Sequence, residues 1–175
     1  MTPPGDSSAL VEATLDGLGL PYDRIEIDPE FADTEDFCRQ YGYRAENSAN
    51  TLVVASKKAP RVFAACIIRA SVRLDVNKKV RKLLGGAKLS FAASQETRRI
   101  TGMLVGGITP FGLPRGWPVL VDQGLMERPY VILGGGNRSW KVKISPAVFR
   151  RLPGARIADI AMAGEARQDL EQKKG

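Results

Sequence analysis

No histidine occurs anywhere in the 175 residues. That absence removes Ser-His-Asp and Cys-His nucleophilic machinery, histidine-ligated zinc and imidazole general-base chemistry. Cysteine is almost as scarce. Cys38 and Cys66 stand alone and 28 residues apart, too few thiols for a zinc site, so no metal is expected. Both lie among apolar neighbours and read as free thiols in a reducing compartment, which makes the cytoplasm the expected location. No apolar run approaches the roughly 20 residues that a membrane helix needs. The opening MTPPGDSSAL has no basic stretch leading into an apolar core, so neither a membrane span nor a secretory signal is expected. Phosphate-loop signatures are missing as well. Gly134-Gly135-Gly136 is not followed by Gly-Lys-Ser/Thr, and no GxGxxG opens a helix, so the triplet reads as a turn or a close backbone approach.

What the chain does have is charge, unevenly spread. Residues 1–50 carry 3 basic and 11 acidic side chains, a net of −8, whereas residues 51–99 carry 12 basic and 2 acidic ones, a net of +10. Residues 100–175 add 11 basic against 6 acidic, a net of +5. A field this lopsided attracts polyanions and is a common footprint of nucleic-acid binding; the plainer reading is a solvated surface that keeps the protein in solution.

Periodicity supplies the elements. Residues 7–18 suit an amphipathic helix ending near Gly19, residues 22–27 a strand stopped by Asp28-Pro29, and Asp33-Thr34 a cap for a helix that ends at Gly42. Residues 51–55 (TLVVA) and 62–68 (VFAACII) read as buried strands joined by a basic hairpin. Residues 75–84 form the clearest helix, with Asp75 as cap and a stripe of Val76, Val80, Leu83 and Leu84. Another short helix starts at Ser94. Residues 101–118 hold five glycines and three prolines among apolar residues, which fits a constrained loop packed on the core. Strands follow at 119–122, 130–133 and 140–144, and Ser145-Pro146 opens a further helix. The expected class is α+β, a curved mixed or barrel-like sheet flanked by helices. Residues 1–163 are expected to make one domain, with 164–175 as a polar tail.

The order of segments is more specific than any one of them. Asn50-Thr51-Leu52-Val53-Val54 comes first, then Leu84-Gly85-Gly86-Ala87-Lys88, Thr101-Gly102, and Gly106-Gly107-Ile108-Thr109-Pro110. Val119-Leu120-Val121-Asp122, the turn Gly135-Gly136-Asn137-Arg138 and Ile144-Ser145-Pro146 complete the series. From about residue 22 to residue 160 this closely resembles the YbaK family, also described as the prolyl-tRNA synthetase associated (editing) domain family. The resemblance implies hydrolysis of mischarged aminoacyl-tRNA without metal or cofactor, by a free-standing protein acting in trans. It also implies that the glycine loop at Gly106 lies against the acyl group and that the substrate's own ribose hydroxyl assists. Backbone donors in such a loop can face a developing oxyanion, and a substrate hydroxyl would let a histidine-free protein move a proton.

On this resemblance Asn50, Gly106 and Gly107 are the candidate catalytic residues, and Thr51, Thr109, Pro110, Asp122, Gly135 and Gly136 the candidate substrate contacts. Arg73, Lys78, Lys79, Lys82, Lys88 and Arg138 are the candidate tRNA contacts. The implied partners are the aminoacylated 3′ end of tRNA and an aminoacyl-tRNA synthetase. One departure stands out. Where the family places a lysine, just before the Thr-Leu-Val strand, this chain has Asn50, a neutral donor and acceptor in place of a point charge. Lys57 and Lys58 lie about 23–26 Å further along an extended strand, so neither replaces it; Arg73 and Arg138, both in loops, are better placed. The lost lysine keeps an alternative open, a protein that binds aminoacyl-tRNA without hydrolysing it.

Overall fold

The computed structural model describes residues 7–163, so the expected polar tail at 164–175 lies outside the described residues. The first element is helix α1 (Ser8–Leu18), which buries Val11 and Leu15, four apart on one face. Gly19 ends it in the left-handed conformation at φ 73°, where a side chain would be strained. Strand β1 (Tyr22–Glu26) follows, and the Asp28 carboxylate then accepts from the Glu30 N–H to cap the turn Pro29–Phe31. Helix α2 (Thr34–Tyr41) carries Glu35 and Asp36 in its first turn and Arg39 in its last, the arrangement a helix dipole favours.

Two sheets form the centre. Strands β2 (Ala49–Ser56) and β3 (Phe63–Arg69) pair antiparallel, with β4 (Leu89–Phe91) on the outer edge of β2. Strands β5 (Val119–Asp122) and β8 (Ala155–Ala158) extend the sheet in parallel, giving the order β4-β2-β3-β5-β8. The second sheet is antiparallel, β1-β7-β6, from β6 (Val131–Gly134) and β7 (Trp140–Ile144). A single parallel bridge, Ser48 to Ile132, joins the two. The barrel-like alternative is therefore not realised: among the described residues the sheets meet at that bridge and do not close.

Side chains alternate across both faces of the larger sheet, as a strand period of two requires. Ile67, Val119 and Val121 face the main core of Trp140, Phe111, Phe149 and Met103, whereas Ala64, Cys66, Ile68 and Leu120 face a second core under Leu74, Val76 and Val80. Burial pushes the Cys66 thiol up to about 12, which makes it an inert packing residue. Cys38 is half-buried and also free.

The helix expected at 75–84 starts differently. Residues Val76–Val80 form a π turn, in which the Val80 N–H reaches back to the Asp75 carbonyl at 3.0 Å, and only α3 (Arg81–Leu83) is α-helical. The Asp75 side chain accepts from the Lys78 N–H, so the cap read from the sequence is present while the winding is wider. Helix α4 (Ser94–Thr101) matches its expected start. Ser145-Pro146 opens a 3-10 turn, Pro146–Arg150, in place of a longer helix. No helix among the described residues is long and apolar enough to cross a membrane.

Candidate active site

A cleft of about 210 Å³ lies where the two sheets meet. Three elements supply its floor and rim. The start of α2 brings Asp33 and Thr34, strand β2 brings Asn50, Thr51 and Leu52, and the glycine loop brings Val105, Gly106 and Ile108. The small sheet adds Gly134 and Lys141.

The loop is held by backbone contacts that only glycine permits. Gly102 ends α4 in the left-handed conformation, and the Thr101 hydroxyl accepts from the Met103 N–H to turn the chain. The Leu104 N–H then donates to the Gly136 carbonyl at 3.2 Å, and the Gly136 N–H donates to the Gly107 carbonyl at 2.6 Å. A Cβ on Gly107 would lie 2.1 Å from the Asn137 carbonyl oxygen, and one on Gly134 would lie 2.7 Å from the Gly107 carbonyl. The glycine turn after β6 and the loop before β5 thus pack main chain on main chain, the close approach expected of the triplet. Gly106 combines φ +88° with a crowded Cβ position, 2.5 Å from the Arg138 guanidinium.

Polar groups converge on this backbone. The Thr34 hydroxyl donates to Asn50 Oδ1 at 2.6 Å, which leaves the Asn50 amide hydrogens for the cleft. Thr51 is 5% exposed, and its Oγ1 has no hydrogen-bond partner among the described residues. The Gly107 N–H donates to the Leu104 carbonyl at 2.8 Å and is already engaged; no backbone acceptor among the described residues engages the Gly106 N–H. Of the two glycines, Gly106 is therefore the one whose donor can serve a ligand.

Arg138 uses four of its five N–H donors. Its guanidinium donates to Asp33 Oδ1 at 2.9 Å, to the Val105 carbonyl at 2.8 Å and twice to the Pro29 carbonyl, so it straps the loop to the turn before α2. Lys141 was not singled out by the sequence. It is 5% exposed, and its ammonium donates to the Ala32 carbonyl at 2.6 Å and the Gly106 carbonyl at 2.7 Å, with the Phe37 ring 5.5 Å away. Burial pushes it down from 10.5 to about 8; Arg138 adds to the shift, while Asp33 and Cys38 oppose it. In the run Trp140-Lys141-Val142-Lys143-Ile144 the lysines look like a solvated face. The sequence carries no signal of Lys141 burial; the pairing of β1 with β7 explains it, since Ile25 sits opposite Lys141 and packs with Ile27 and Phe37 in a third apolar cluster. That face of the sheet is covered.

The other expected site residues lie elsewhere. Thr109 and Pro110 are buried beside the loop without bordering the cleft. Asp122 is 2% exposed and accepts from the Gly124 and Ile160 N–H groups, so it ties the end of β5 to the chain after β8. A Cβ on Gly135 would meet the Trp140 ring at 2.4 Å, and one on Gly136 would meet Ser7 Oγ at 2.6 Å; these glycines serve packing around the turn. Arg73, Lys78, Lys82 and Lys88 are exposed. Lys79 is not free, since its ammonium holds both Asp159 oxygens at 2.9 Å and the Ala161 carbonyl at 2.6 Å. No group of three or more metal-ligating side chains occurs among the described residues.

The family model described as "Aminoacyl-tRNA editing domain" matches residues 28–152. A protein of Enterococcus faecalis named "Putative Cys-tRNA(Pro)/Cys-tRNA(Cys) deacylase EbsC" is 23% identical over 143 residues, 81% of this chain and 85% of that one. Among solved structures, "a putative trans-editing enzyme for prolyl tRNA synthetase" superposes with a TM-score of 0.77 at 24% identity, over 93% of this chain and 99% of that one. Hypothetical protein APE2540 gives a TM-score of 0.77 at 27% identity, over 87% of this chain and 99% of its own. The matched span includes the whole cleft.

Proposed function

This chain belongs to the aminoacyl-tRNA editing domain family, and on that premise we propose that it is a trans-acting deacylase that hydrolyses the ester of mischarged tRNA. The observation that carries the reading is the meeting of Asn50 and Gly106 on one cleft of about 210 Å³, beside a buried Thr51 hydroxyl that has no hydrogen-bond partner among the described residues. That volume is below the roughly 300–1,000 Å³ of a drug-sized pocket and suits a small aminoacyl group.

The chemistry needs a water to attack the ester carbonyl and a donor to stabilise the oxyanion. The Gly106 N–H is that donor, and the Asn50 amide, oriented by Thr34, holds the acyl group or the terminal ribose. With no histidine in the chain, proton transfer falls to the hydroxyl of the substrate's own ribose. The reading invokes no metal and no cofactor. Arg73, Lys78, Lys82 and Lys88 meet tRNA phosphates, and a synthetase that releases the mischarged tRNA is the implied partner.

A second reading is favoured by one observation, the neutral Asn50 where the family carries a lysine: a protein that binds aminoacyl-tRNA without hydrolysing it. A panel of mischarged tRNAs, assayed for both binding and ester loss, decides between them. Acceleration of at least one ester above its uncatalysed rate is expected. Saturable binding with no acceleration of any ester establishes the second reading, and absence of both overturns each.

A further inference from the structure

Lys141 reaches the cleft from the three-stranded sheet, whereas Asn50 belongs to the five-stranded one. We propose that Lys141 is a further catalytic residue of this site: its ammonium holds the Gly106 loop and supplies, from the other wall, the positive charge that the Asn50 strand lacks. The inference rests on the deacylase reading for the identity of the ligand.

Two peptides flank the Gly106 Cα. The carbonyl of Val105 is held by Arg138 at 2.8 Å, and the carbonyl of Gly106 is held by Lys141 at 2.7 Å. In a trans peptide the N–H points opposite to the carbonyl, so Arg138 turns the Gly106 N–H away from itself. Lys141 fixes the next peptide, whose N–H is the one donated to Leu104. Two cations thus set both planes at a residue whose φ of +88° other side chains rarely adopt. The Arg138 bond holds the plane that carries the Gly106 N–H, and the Lys141 bond adds to the Leu104 bond on the next plane.

Charge completes the case. Asp33 and Lys141 are the ionisable residues that border the cleft, and Asp33 is already paired with Arg138 at 2.9 Å. No carboxylate forms an ion pair with Lys141 among the described residues; its known acceptors are two neutral carbonyls. An ammonium has three hydrogens, so one is left for a ligand oxygen. A buried cation without a counter-ion is costly, and a methionine would fill a similar volume without that cost. The ammonium is therefore suited to an electron-rich partner that arrives with the substrate, the ester carbonyl and the oxyanion it becomes.

The test uses 3′-alanylamido-3′-deoxyadenosine, an uncleavable analogue of a charged tRNA end, alongside the esters of the mischarged panel. Lys141→Gln keeps an N–H donor and removes the charge. It is expected to weaken analogue binding about tenfold and to lower kcat about a hundredfold, with KM for tRNA within about twofold because the exposed basic residues are untouched. Background-corrected wild-type kcat/KM is expected to fall as pH rises through about 8, where Lys141 of the free protein loses its proton. That alkaline limb should be missing in Lys141→Gln. The titratable groups facing Lys141 are Asp33, Cys38 and Arg138, while β1 and β6 oppose it with Ile25 and Gly134.

Analogue binding by Lys141→Gln within twofold of wild type, or an alkaline limb that persists in it, overturns the proposal. If wild type binds the analogue and hydrolyses no ester, while Lys141→Gln binds it more weakly, the deacylase reading fails and Lys141 stands as a ligand contact. If wild type does not bind the analogue, the proposal falls. Should Lys141→Gln not fold, the Nζ of wild-type Lys141 can be titrated by nitrogen NMR. Bound analogue is expected to raise its pKa, and an unchanged value overturns the inference.

Discussion

The cleft beside Gly106 and the basic shoulder over residues 76–88 use positive charge in opposite ways. In the cleft Arg138 and Lys141 are each committed to named carbonyls, and the glycines around them have no room for a side chain. On the shoulder Lys78, Lys82 and Lys88 are exposed, and a Cβ on Gly85 or Gly86 would meet nothing within 4 Å. A catalytic geometry depends on where a few atoms sit, while attraction of a polyanion depends on summed charge. Changes of similar chemistry should therefore have very different consequences in the two regions.

The largest contrast is between two glycines. Gly107→Ala places a Cβ 2.1 Å from the Asn137 carbonyl oxygen, so main chain must move at the loop that carries Gly106. A loss of about 2–4 kcal/mol in unfolding free energy is expected, with about a hundredfold loss of ester hydrolysis. Gly86→Ala has only its φ of +91° to contend with, a cost of about 1–2 kcal/mol, and leaves hydrolysis unchanged. Urea unfolding and deacylation assays on the pair check both. Equal losses of activity would erase the distinction between the regions.

The next effect is confined to the cleft. Lys141 is held near 8 in the folded protein against 10.5 for an ordinary lysine, because burial disfavours its charge. Between those two values the unfolded chain binds more protons than the folded one, so this residue makes stability rise with pH across about 8 to 10.5. Below about 8 both states are protonated and the contribution is flat. The rise is at most about 3 kcal/mol, from 1.36 kcal/mol per pH unit. Cys66 works the other way above 9, since its folded thiol is pushed up to about 12. The expected observable is therefore the difference between wild type and Lys141→Gln, measured by urea unfolding at pH 7.5 and pH 10, which cancels Cys66. Parallel curves would mean that Lys141 is as solvated as the shoulder lysines.

The same contrast governs what could be read from the sequence. The shoulder was visible in composition alone, since a net of +10 over residues 51–99 needs no folding to be seen. Strands β2, β3, β5, β6 and β7 were legible because their apolar runs end at glycine, proline or charge. Strands β4 and β8 are three and four residues long, and their pairing is set by the sheet they join. The π turn at Val76–Val80 was hidden because its apolar stripe fits an α-helix equally well. In the cleft, Asn50 and Gly106 stood out through their segments, whereas Lys141 alternates with Trp140 and Val142 as any surface lysine would. Only the covering of its face by α2 and the glycine loop makes it buried, and that is a tertiary fact. Asp122 shows the reverse case: a carboxylate at a strand end that suggested a ligand contact and is spent on two backbone N–H groups.

The smallest effect tests the shoulder from within, on two adjacent lysines of the same π turn. Lys78 is exposed, whereas Lys79 is only 29% exposed in its side chain and is bound to Asp159 and Ala161. If tRNA phosphates are met by free cations, Lys78→Ala should lower the slope of log affinity against log salt by about one. Lys79→Ala should leave that slope unchanged and cost at most about 1 kcal/mol of stability, as partly exposed ion pairs do. Equilibrium binding of tRNA across a salt series, with urea unfolding of each variant, reads both quantities. A slope change for Lys79→Ala as large as that for Lys78→Ala would show that the Asp159 pair opens to meet phosphate. The shoulder would then carry one more contact than its resting structure offers, and its charges would be as conditional on the ligand as those of the cleft.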